Sequence, residues 1–354
     1  MIAAAEPVQR PADARLLYVR RTGALEHRPR AALASLLLPG DLVVANDAAT
    51  LPASLTGVHV RTGRSIEVRL AGRRTLDSHA VREFTVVVFG AGDFHTRTED
   101  RPPPPPLQPG DELQLGPLRA TVLALQDHPR LARTRFEGPP RRIWEGLARH
   151  GKPVQYAHLR QALALWDVWS PFAGVPSAFE PASAGFAVDW ALLESLRRRG
   201  IEFTTLTHTA GLSSTGDPQL DSRLPFDEPF RIPLTTAAAI QRARRSARRI
   251  VAVGTTVVRA LEQAATDGRG RVRAGEGLAT GRIGASSGLQ VVDLLLSGTH
   301  AAGTSHHEML RAFVCPSTLE RIDAQLDQRR YRTHEYGDSV LIERAREDQN
   351  VAGT

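Results

Sequence analysis

The sequence Arg248-Arg-Ile-Val-Ala-Val-Gly-Thr-Thr-Val-Val-Arg-Ala-Leu-Glu262 contains the features from which the fold is predicted. Ile250–Val253 is short, apolar and mostly β-branched, as in a strand that is buried on both faces. Gly254 permits a tight turn, and Thr255 or Thr256 can cap a helix that follows directly. The stretch therefore predicts a strand, a turn and a helix, which is the βα unit of an α/β protein.

The same stretch allows two interpretations of function. In α/β proteins, ligands bind at the carboxyl ends of strands, where helix N-termini offer free N–H groups to an anion. Alternatively, the stretch is one more βα unit of the core. Arg259 and Glu262 are three residues apart, so they lie on neighbouring positions of one helix face. They either pair with each other or face a ligand.

The composition is that of a soluble globular protein. The chain has 354 residues, of which 42% are hydrophobic and 23% charged, enough for one large domain or two ordinary ones. Cys315 is the only cysteine, which excludes internal disulfides and a cysteine-based zinc cluster. The chain has no apolar run of about 18 residues and no export signal at its start. We expect a cytoplasmic protein without a membrane span.

The net charge of +7 permits a nucleic-acid partner. Lys152 is the only lysine, so arginine supplies nearly all of the positive charge. The dense clusters are Arg197–Arg199 and the arginines between Arg242 and Arg249. Such clusters are also typical of solvated helix faces, so the charge alone does not identify RNA as a partner.

The pattern changes between residues 58 and 138. Short alternating segments recur there, separated by Gly, Pro and Asp turns, as in a small antiparallel barrel or sandwich. Helical patterns precede and follow this segment. We therefore predict a β domain at 58–138, inserted into a discontinuous α/β domain of residues 1–57 and 139–354. The α/β domain is expected to be barrel-like or an open sheet.

Two further helices are predicted in the α/β part of the chain. Tyr156–Trp169 has a helical appearance and carries two tryptophans. Asp189 is expected to cap a helix that runs to Arg199, and Gly200 ends it.

Polar residues follow several of the predicted strands. These residues are Asn46, Asp47, Ser183, Gly185, His208, Thr209, Thr255, Thr256, His300 and Ser305. Because strand ends gather at one rim of an α/β sheet, we expect these side chains to lie close together. Hydroxyls, histidines and helix N-termini suit a small polar ligand with a carboxylate and a ribose.

Simpler interpretations of the same residues remain open. Asn46 and Asp47 also fit an Asx-turn that only redirects the chain, and a lone histidine is usually a core or surface residue. The neighbours His306 and His307 do not face one centre on a helix, so no metal site is predicted. The sequence has no Walker loop, no Gly-x-Gly-x-x-Gly and no Gly-x-Ser-x-Gly motif.

In order along almost the whole chain, these segments resemble the S-adenosylmethionine:tRNA ribosyltransferase-isomerase family of queuosine biosynthesis. The matching segments are Asp13-Ala-Arg-Leu-Leu, Gly40-Asp-Leu-Val-Val-Ala-Asn-Asp, Leu51-Pro-Ala-Ser-Leu, Ala184-Gly185, Val251-Ala-Val-Gly-Thr-Thr-Val-Val-Arg-Ala-Leu-Glu, Val292-Asp293, His300 and Tyr331-Arg through Tyr336-Gly-Asp338. The Gly-Thr-Thr and Tyr-Gly-Asp segments are specific in this combination. The predicted β insertion also falls where the family has its small β domain.

The resemblance implies a reaction on 7-aminomethyl-7-deazaguanine in the anticodon loop of tRNA. S-adenosylmethionine acts as co-substrate and donates its ribosyl carbons, adenine and methionine leave, and the product is epoxyqueuosine. A base removes a proton next to the sulfonium to give an ylide, the ribose ring opens and the nucleobase amine adds. The site must supply that base and donors for the departing adenine. No metal is implied, and we expect a monomer.

We expect His208 and His300 to transfer the proton, with Asp47 as a third catalytic residue. The residues expected to bind S-adenosylmethionine or the acceptor are Asn46, Ser183, Gly185, Thr255, Thr256, Arg259, Glu262, Ser305, Tyr336 and Asp338. In this set, Asn46 orients the ligand and the two threonines hold a carboxylate or ribose hydroxyl at the helix N-terminus. Arg259 is the expected cationic partner of a carboxylate, unless it pairs only with Glu262.

The chain departs from the family pattern at several polar positions. Ala48 and Ala49 replace a Thr-Arg pair, the loop at Ser183 lacks a histidine, and the loop after His208 differs. Three hypotheses follow: the tRNA-modifying transferase; a divergent paralogue that uses S-adenosylmethionine on another, possibly small-molecule, acceptor or cleaves it; and a binding protein without catalysis. The family residues that remain argue against the last; they are Arg259, Glu262, His300 and Asp338.

Overall fold

The computed structural model describes residues 1–345. The α-helices are α1 (Leu33–Leu36), α2 (Pro140–His150), α3 (Trp190–Arg198), α4 (Pro218–Asp221), α5 (Leu234–Arg245), α6 (Thr255–Asp267), α7 (Ser305–Leu310) and α8 (Pro316–Gln328). The first strands are β1 (Ile2–Ala3), β2 (Arg15–Val19), β3 (Leu25–Pro29), β4 (Leu42–Asn46), β5 (Ala48–Thr50), β6 (Ser54–His59), β7 (Arg64–Gly72), β8 (Glu83–Phe89), β9 (Glu112–Leu115) and β10 (Leu118–Leu125). The remaining strands are β11 (Leu131–Phe136), β12 (Val175–Ala178), β13 (Glu202–His208), β14 (Glu228–Ile232), β15 (Ile250–Val253), β16 (Gly275–Ala279), β17 (Leu294–Gly298), β18 (Arg332–Thr333) and β19 (Ser339–Glu343).

The main sheet is open and mixed, with the order β16-β14-β13-β4-β15-β17-β19-β2-β3 in the described chain. Its centre consists of β13, β4, β15 and β17, which run parallel to one another. Every residue of β4 and β15 is buried, as expected for apolar strands in the middle of a parallel sheet. The predicted α/β class is confirmed, and the main domain is an open sheet.

Helices cover both faces of this sheet because alternate strand residues point to opposite sides. Val44 and Ala252 pack on one face with residues of α5, α6 and α8. Val43 and Val251 pack on the other face with residues of α1 and α3. The site at the strand ends is therefore held between two rigid layers.

The predicted antiparallel β domain is a closed barrel of six strands within residues 54–136, in the order β10-β11-β8-β7-β6-β9. Its first strand begins at Ser54, ahead of the segment 58–138. Its core also contains residues from outside the barrel, among them Phe179 and Leu212. Phe179 packs edge-to-face against Phe84, with ring centroids 6.1 Å apart. The barrel and the main domain thus share one hydrophobic cluster.

The first and the last strands of the described residues lie against each other. β1 pairs with β18 in parallel. The β2–β3 hairpin joins the main sheet through β19, which lies between β17 and β2. The first strands of the chain are therefore attached to its last ones.

The helix predicted at Tyr156–Trp169 is wrong. Within this range only Leu165–Asp167 forms a single 3₁₀ turn. The side chain of Gln155 bonds both the N–H and the C=O of Leu163, and the Arg160 N–H donates to Ala5 O. These backbone groups are satisfied by partners outside a helical register, so the segment folds as an irregular connection.

The predicted helix after Asp189 is confirmed as α3, whose first turn is capped by the Asp189 carboxylate at 2.7 Å from Leu192 N. The predicted βα junction is also present, with Gly254 at a φ of +96°, where glycine is favoured. The predicted threonine cap is wrong. Helix α6 begins at Thr255 itself, and neither threonine hydroxyl caps it. Among residues 1–345, helices fall short of the length and apolar character needed to cross a membrane.

Candidate active site

The carboxyl ends of the parallel strands β13, β4, β15 and β17 meet at one edge of the sheet. We call this the carboxyl edge. The residues that it brings together are Asn46 and Asp47 after β4, His208 and Thr209 at β13, Gly254 to Thr256 after β15, and Thr299 and His300 after β17. Their gathering follows from the parallel order of the strands, as the sequence predicted.

Asn46 holds the edge together through its amide. Its Oδ1 accepts the His208 N–H at 2.9 Å, and its Nδ2 donates to His208 O at 2.8 Å. The same Nδ2 lies 3.3 Å from Thr256 Oγ1. Asn46 is buried, so its amide joins β4, β13 and α6 rather than facing a ligand directly.

Asp47 is the half-buried carboxylate of the edge. It accepts hydrogen bonds from Thr205 Oγ1 at 2.9 Å and Thr207 Oγ1 at 2.6 Å. A carboxylate has four lone-pair positions, so these two bonds leave acceptor capacity for a ligand hydroxyl or N–H.

His300 and His306 form a stacked pair beside the start of α6. Their ring centroids are 4.5 Å apart, and His306 Nδ1 lies 2.9 Å from Thr255 Oγ1. Burial lowers the pKa of His306 to about 4, and burial and the neighbouring His306 lower the pKa of His300 well below its ordinary value. Both rings are neutral at pH 7, so each can accept a proton.

His208 lies in a different environment, because its side chain is fully buried. Its Nε2 is 3.5 Å from Glu228 Oε2, and burial lowers its pKa well below the ordinary value. A ring without solvent access cannot contact a bound substrate in this arrangement. His208 therefore belongs to the layer beneath the site.

Arg259 is neutralised within that same layer. It forms a buried ion pair with Glu228 and donates to Ala279 O at 3.0 Å. Glu228 also accepts the Gly211 N–H at 2.6 Å. The alternative that Arg259 pairs with Glu262 is wrong, because the guanidinium is held by Glu228. No motif in the sequence distinguishes Glu228.

Three residues expected to bind the ligand instead have structural partners. The Glu262 carboxylate accepts the main-chain N–H groups of Gln290, Val291 and Val292 at 2.6–3.0 Å, near the start of β17 and away from the carboxyl edge. Asp338 is buried and binds the guanidinium groups of Arg15 and Arg332. Tyr336 donates to Asp167 O at 3.0 Å and stacks on Phe186.

The loop around Ser183 and Gly185 closes one side of the edge as a short 3₁₀ segment. A Cβ on Gly185 would lie 3.1 Å from the Phe172 ring, and one on Gly254 would lie 3.4 Å from the Ala184 methyl. Both glycines therefore permit close packing at the site. Ser305 begins α7, whose cap is the preceding threonine, so its hydroxyl is not used as a cap.

A second group of polar side chains, which we call the His–Glu cluster, was not found from the sequence. It consists of Tyr156, His158, Glu180, His334 and Glu335. Burial raises the pKa of Glu180 to about 8, and the Glu335 charge adds to this, while a bond from Ser213 opposes it. Burial raises the pKa of Glu335 to about 7.

The His–Glu cluster also contains the group in residues 1–345 whose geometry comes nearest to a metal site. Ligand atoms of His158, His334 and Glu335 lie within 4.8 Å of one another. The two imidazole rings stack at 4.3 Å with 22° between their planes. Because imidazole lone pairs lie in the ring plane, they do not converge on one ion in this arrangement.

Comparison with known proteins identifies relatives over almost the full length. The model of a family described as queuosine biosynthesis protein matches residues 1–342. An S-adenosylmethionine:tRNA ribosyltransferase-isomerase of Thermosynechococcus vestitus is 30% identical over 347 residues, covering 96% of this chain and 92% of the relative. The enzyme of the same name from Heliobacterium modesticaldum is 30% identical, covering 95% and 94%.

The fold also has a counterpart among solved structures. The crystal structure of an S-adenosylmethionine tRNA ribosyltransferase from Thermotoga maritima superposes with a TM-score of 0.51 and 24% identity, covering 96% of each chain. At this identity the likeness concerns the fold, including the barrel inserted into the α/β domain.

Proposed function

This chain belongs to the queuosine biosynthesis protein family, and from that membership we propose that it transfers and isomerises the ribosyl group of S-adenosylmethionine on tRNA. The acceptor is 7-aminomethyl-7-deazaguanine in the anticodon loop. The products are epoxyqueuosine in the tRNA, adenine and methionine.

The main support for this proposal is that the relatives align with the chain over almost its full length. Relatives named for this activity align with 93–97% of the chain, so the alignment includes both the sheet and the inserted barrel. A match confined to the sheet would support the α/β fold alone, because one fold hosts many activities.

S-adenosylmethionine is placed at the carboxyl edge in this proposal. The N–H groups of Thr255 and Thr256 precede the first hydrogen bond of α6, which Val257 donates to Gly254 O, and the positive end of the helix dipole favours an anion there. This position suits the methionine carboxylate, with the half-buried Thr256 beside it. Asp47 retains acceptor capacity for a ribose hydroxyl. Arg259 stays in its pair with Glu228 and stabilises the layer below.

His300 is the base that we assign to proton removal. It takes a proton from the carbon next to the sulfonium, which leaves the ylide, and becomes an imidazolium that can return the proton to the departing adenine. Its neutral state at pH 7 is the state that this step requires. His306 stacks on it and fixes its orientation through Thr255. His208 and Glu228 position the edge from beneath.

The test is release of adenine and methionine, measured by chromatography, with tRNA that carries the aminomethyl-deazaguanine base. We expect release of both only when this tRNA is present, with the ribosyl carbons recovered in the RNA. Release of adenine without tRNA would replace the proposal by cleavage or transfer to a small molecule. Failure with every such tRNA, despite binding of S-adenosylmethionine, would also overturn it.

A further inference from the structure

Three of the four tryptophans of the chain line one groove of about 650 Å³. Trp166 and Trp190 are each 77% exposed and Trp169 is 42% exposed. The groove lies between the N-terminal segment, the 3₁₀ turn at Leu165–Asp167 and the start of α3. We call it the tryptophan groove. A soluble protein seldom leaves several large aromatic rings bare on one surface unless that surface binds something.

The walls of the groove are fixed while the ring faces remain open. The indole N–H of Trp169 donates to Thr50 O at 2.9 Å. Gln9 is buried, and its amide donates to Asp167 O and to Trp169 O at 2.8 and 2.9 Å. Trp190 is the first residue of α3, directly after the Asp189 cap. Trp169 is held in place by these bonds, and a preorganised ring loses little conformational freedom when a planar ligand stacks on it.

The charged residues of the groove favour a ligand that places neutral planar rings in the groove and an anionic group next to Arg10. Arg10 is exposed and forms no ion pair within the described residues; its guanidinium bonds only the Gln9 amide oxygen. The carboxylates of Asp167 and Asp189 also line the groove, where each caps a backbone N–H. Their charge would repel a phosphate inside the groove, whereas base N–H groups can donate to carboxylates.

The groove also adjoins the candidate active site. Ser170 lines it, and its Cβ lies 3.5 Å from where a Cβ on Gly185 would stand. Gly185 belongs to the 3₁₀ segment whose Ala184 packs against Gly254 at the carboxyl edge. A flexible chain with one residue at the carboxyl edge would therefore bring its neighbouring residues to the tryptophan groove.

We infer that the tryptophan groove binds unpaired nucleobases of the tRNA loop, next to the base that is modified. This inference rests on the proposed function, which supplies the RNA. Bases stack on Trp166 and Trp190, and the exposed Arg10 contacts a backbone phosphate beside them. Stacking on aromatic side chains is the usual means by which proteins hold unpaired bases.

The test is fluorescence anisotropy with a labelled anticodon stem–loop that carries the acceptor base. Loss of one stacking ring reduces affinity about 5- to 150-fold, so we expect increases of this size in Kd for Trp166→Ala and Trp190→Ala. Trp166→Phe and Trp190→Phe keep a stacking face and stay within about three-fold of wild type. The matched control is Trp144→Phe, because Trp144 packs against the barrel core and donates to Ser78 O.

The outcomes separate this inference from the proposed function. If the alanine variants bind the stem–loop as tightly as an active wild type does, the inference about the groove is overturned and the proposed function stands. Absence of any binding or turnover by wild type would overturn both. Sedimentation of wild type as a dimer that the Trp190→Ala change dissociates would assign the groove to a second copy of the chain instead. Titration with S-adenosylmethionine should give the same Kd for all variants, which shows that they are folded.

Discussion

At the scale of single residues, the site is built around imidazoles that burial keeps neutral. His300 is the one that stacks on His306 at the carboxyl edge, and its ring is more accessible than that of His208. A lowered pKa keeps the ring unprotonated and ready to accept a proton at neutral pH, while it also makes the imidazole a weaker base than a free one.

The first prediction concerns His300→Gln. Removing a general base typically costs about 10²–10⁴ in rate, so kcat should fall at least about 100-fold while the Kd for S-adenosylmethionine changes little. Single-turnover release of adenine measures this. The control is His79→Gln in an exposed loop of the barrel, which should retain wild-type kcat. An unchanged kcat in His300→Gln would assign the base elsewhere.

The second prediction concerns the buried Glu180. Its pKa is about 8 in the folded chain and near the ordinary 4.5 when unfolded, so the folded state binds the extra proton between these values. Glu180 therefore contributes stability that is fully present below about pH 4.5 and is lost as the pH rises towards 8. The unfolding temperature of wild type should accordingly fall relative to that of Glu180→Gln as the pH rises across this range. Exposed Glu137→Gln should keep the wild-type slope.

At the scale of secondary-structure elements, buried ion pairs join elements that are distant in sequence. Arg259 on α6 and Glu228 at the start of β14 are 31 residues apart, and both side chains are buried. Burial removes the solvation of both charges, so each side chain would be an uncompensated buried charge without the other.

The third prediction is that Glu228→Gln destabilises the protein by about 3–5 kcal/mol, because Arg259 becomes an uncompensated buried charge. Chemical denaturation measures the free energy of unfolding. A Glu228→Gln, Arg259→Met double variant should recover much of this loss. Glu194→Gln removes the exposed partner of Arg197 and should leave stability unchanged within error. A wild-type free energy of unfolding in Glu228→Gln would contradict the dependence of Arg259 on this pair.

Sequence patterns predicted the elements whose signals are local. The alternating runs of the barrel and the apolar run before Gly254 have the period of strands, and Asp189 carries a cap signal that the structure uses. The helix predicted at Tyr156–Trp169 is absent. Its two tryptophans face a groove rather than a core, so their spacing in the sequence did not indicate helical packing. The helix α8 was not predicted.

The interactions of the buried polar side chains were less predictable, because the tertiary fold alone brings the interacting residues together. Glu228 and Glu180 follow no local rule, and each acquires its role from residues far along the chain. Thr255 and Thr256 occupy cap positions by sequence, yet their hydroxyls bond His306 and Asn46. The strand-end rule predicted which residues gather at the carboxyl edge, without giving the hydrogen-bond partners of each side chain.

At the scale of the whole molecule, the core of the barrel is completed by residues of the α/β part of the chain, whereas the open sheet has hydrophobic clusters of its own on its two faces. Phe179 is fully buried in the barrel cluster, although it lies outside the barrel strands. The barrel therefore does not bury its apolar surface alone, and we expect it to unfold together with the α/β part that completes its core.

The fourth prediction follows from this shared core. Phe179→Ala should cost about 3–5 kcal/mol and lower the unfolding midpoints of both parts together. In wild type, the barrel tryptophan Trp144 and the groove tryptophans all contribute to the fluorescence, whereas in Trp144→Phe the fluorescence comes from the groove tryptophans. If the fluorescence and circular dichroism unfolding curves coincide both with and without Trp144, the two parts unfold as one unit. Two separated transitions would show that the parts unfold independently.

The attachment of the β2–β3 hairpin through β19 has a consequence for biosynthesis. On the ribosome, the hairpin is made long before its partner strand Ser339–Glu343. The hairpin must remain undocked while more than 300 intervening residues are made, with β2 offering one unpaired edge during that time. A nascent chain arrested before residue 339 should hence depend more on chaperones than one in which β19 has emerged, because the emergence of β19 lets the hairpin join the sheet.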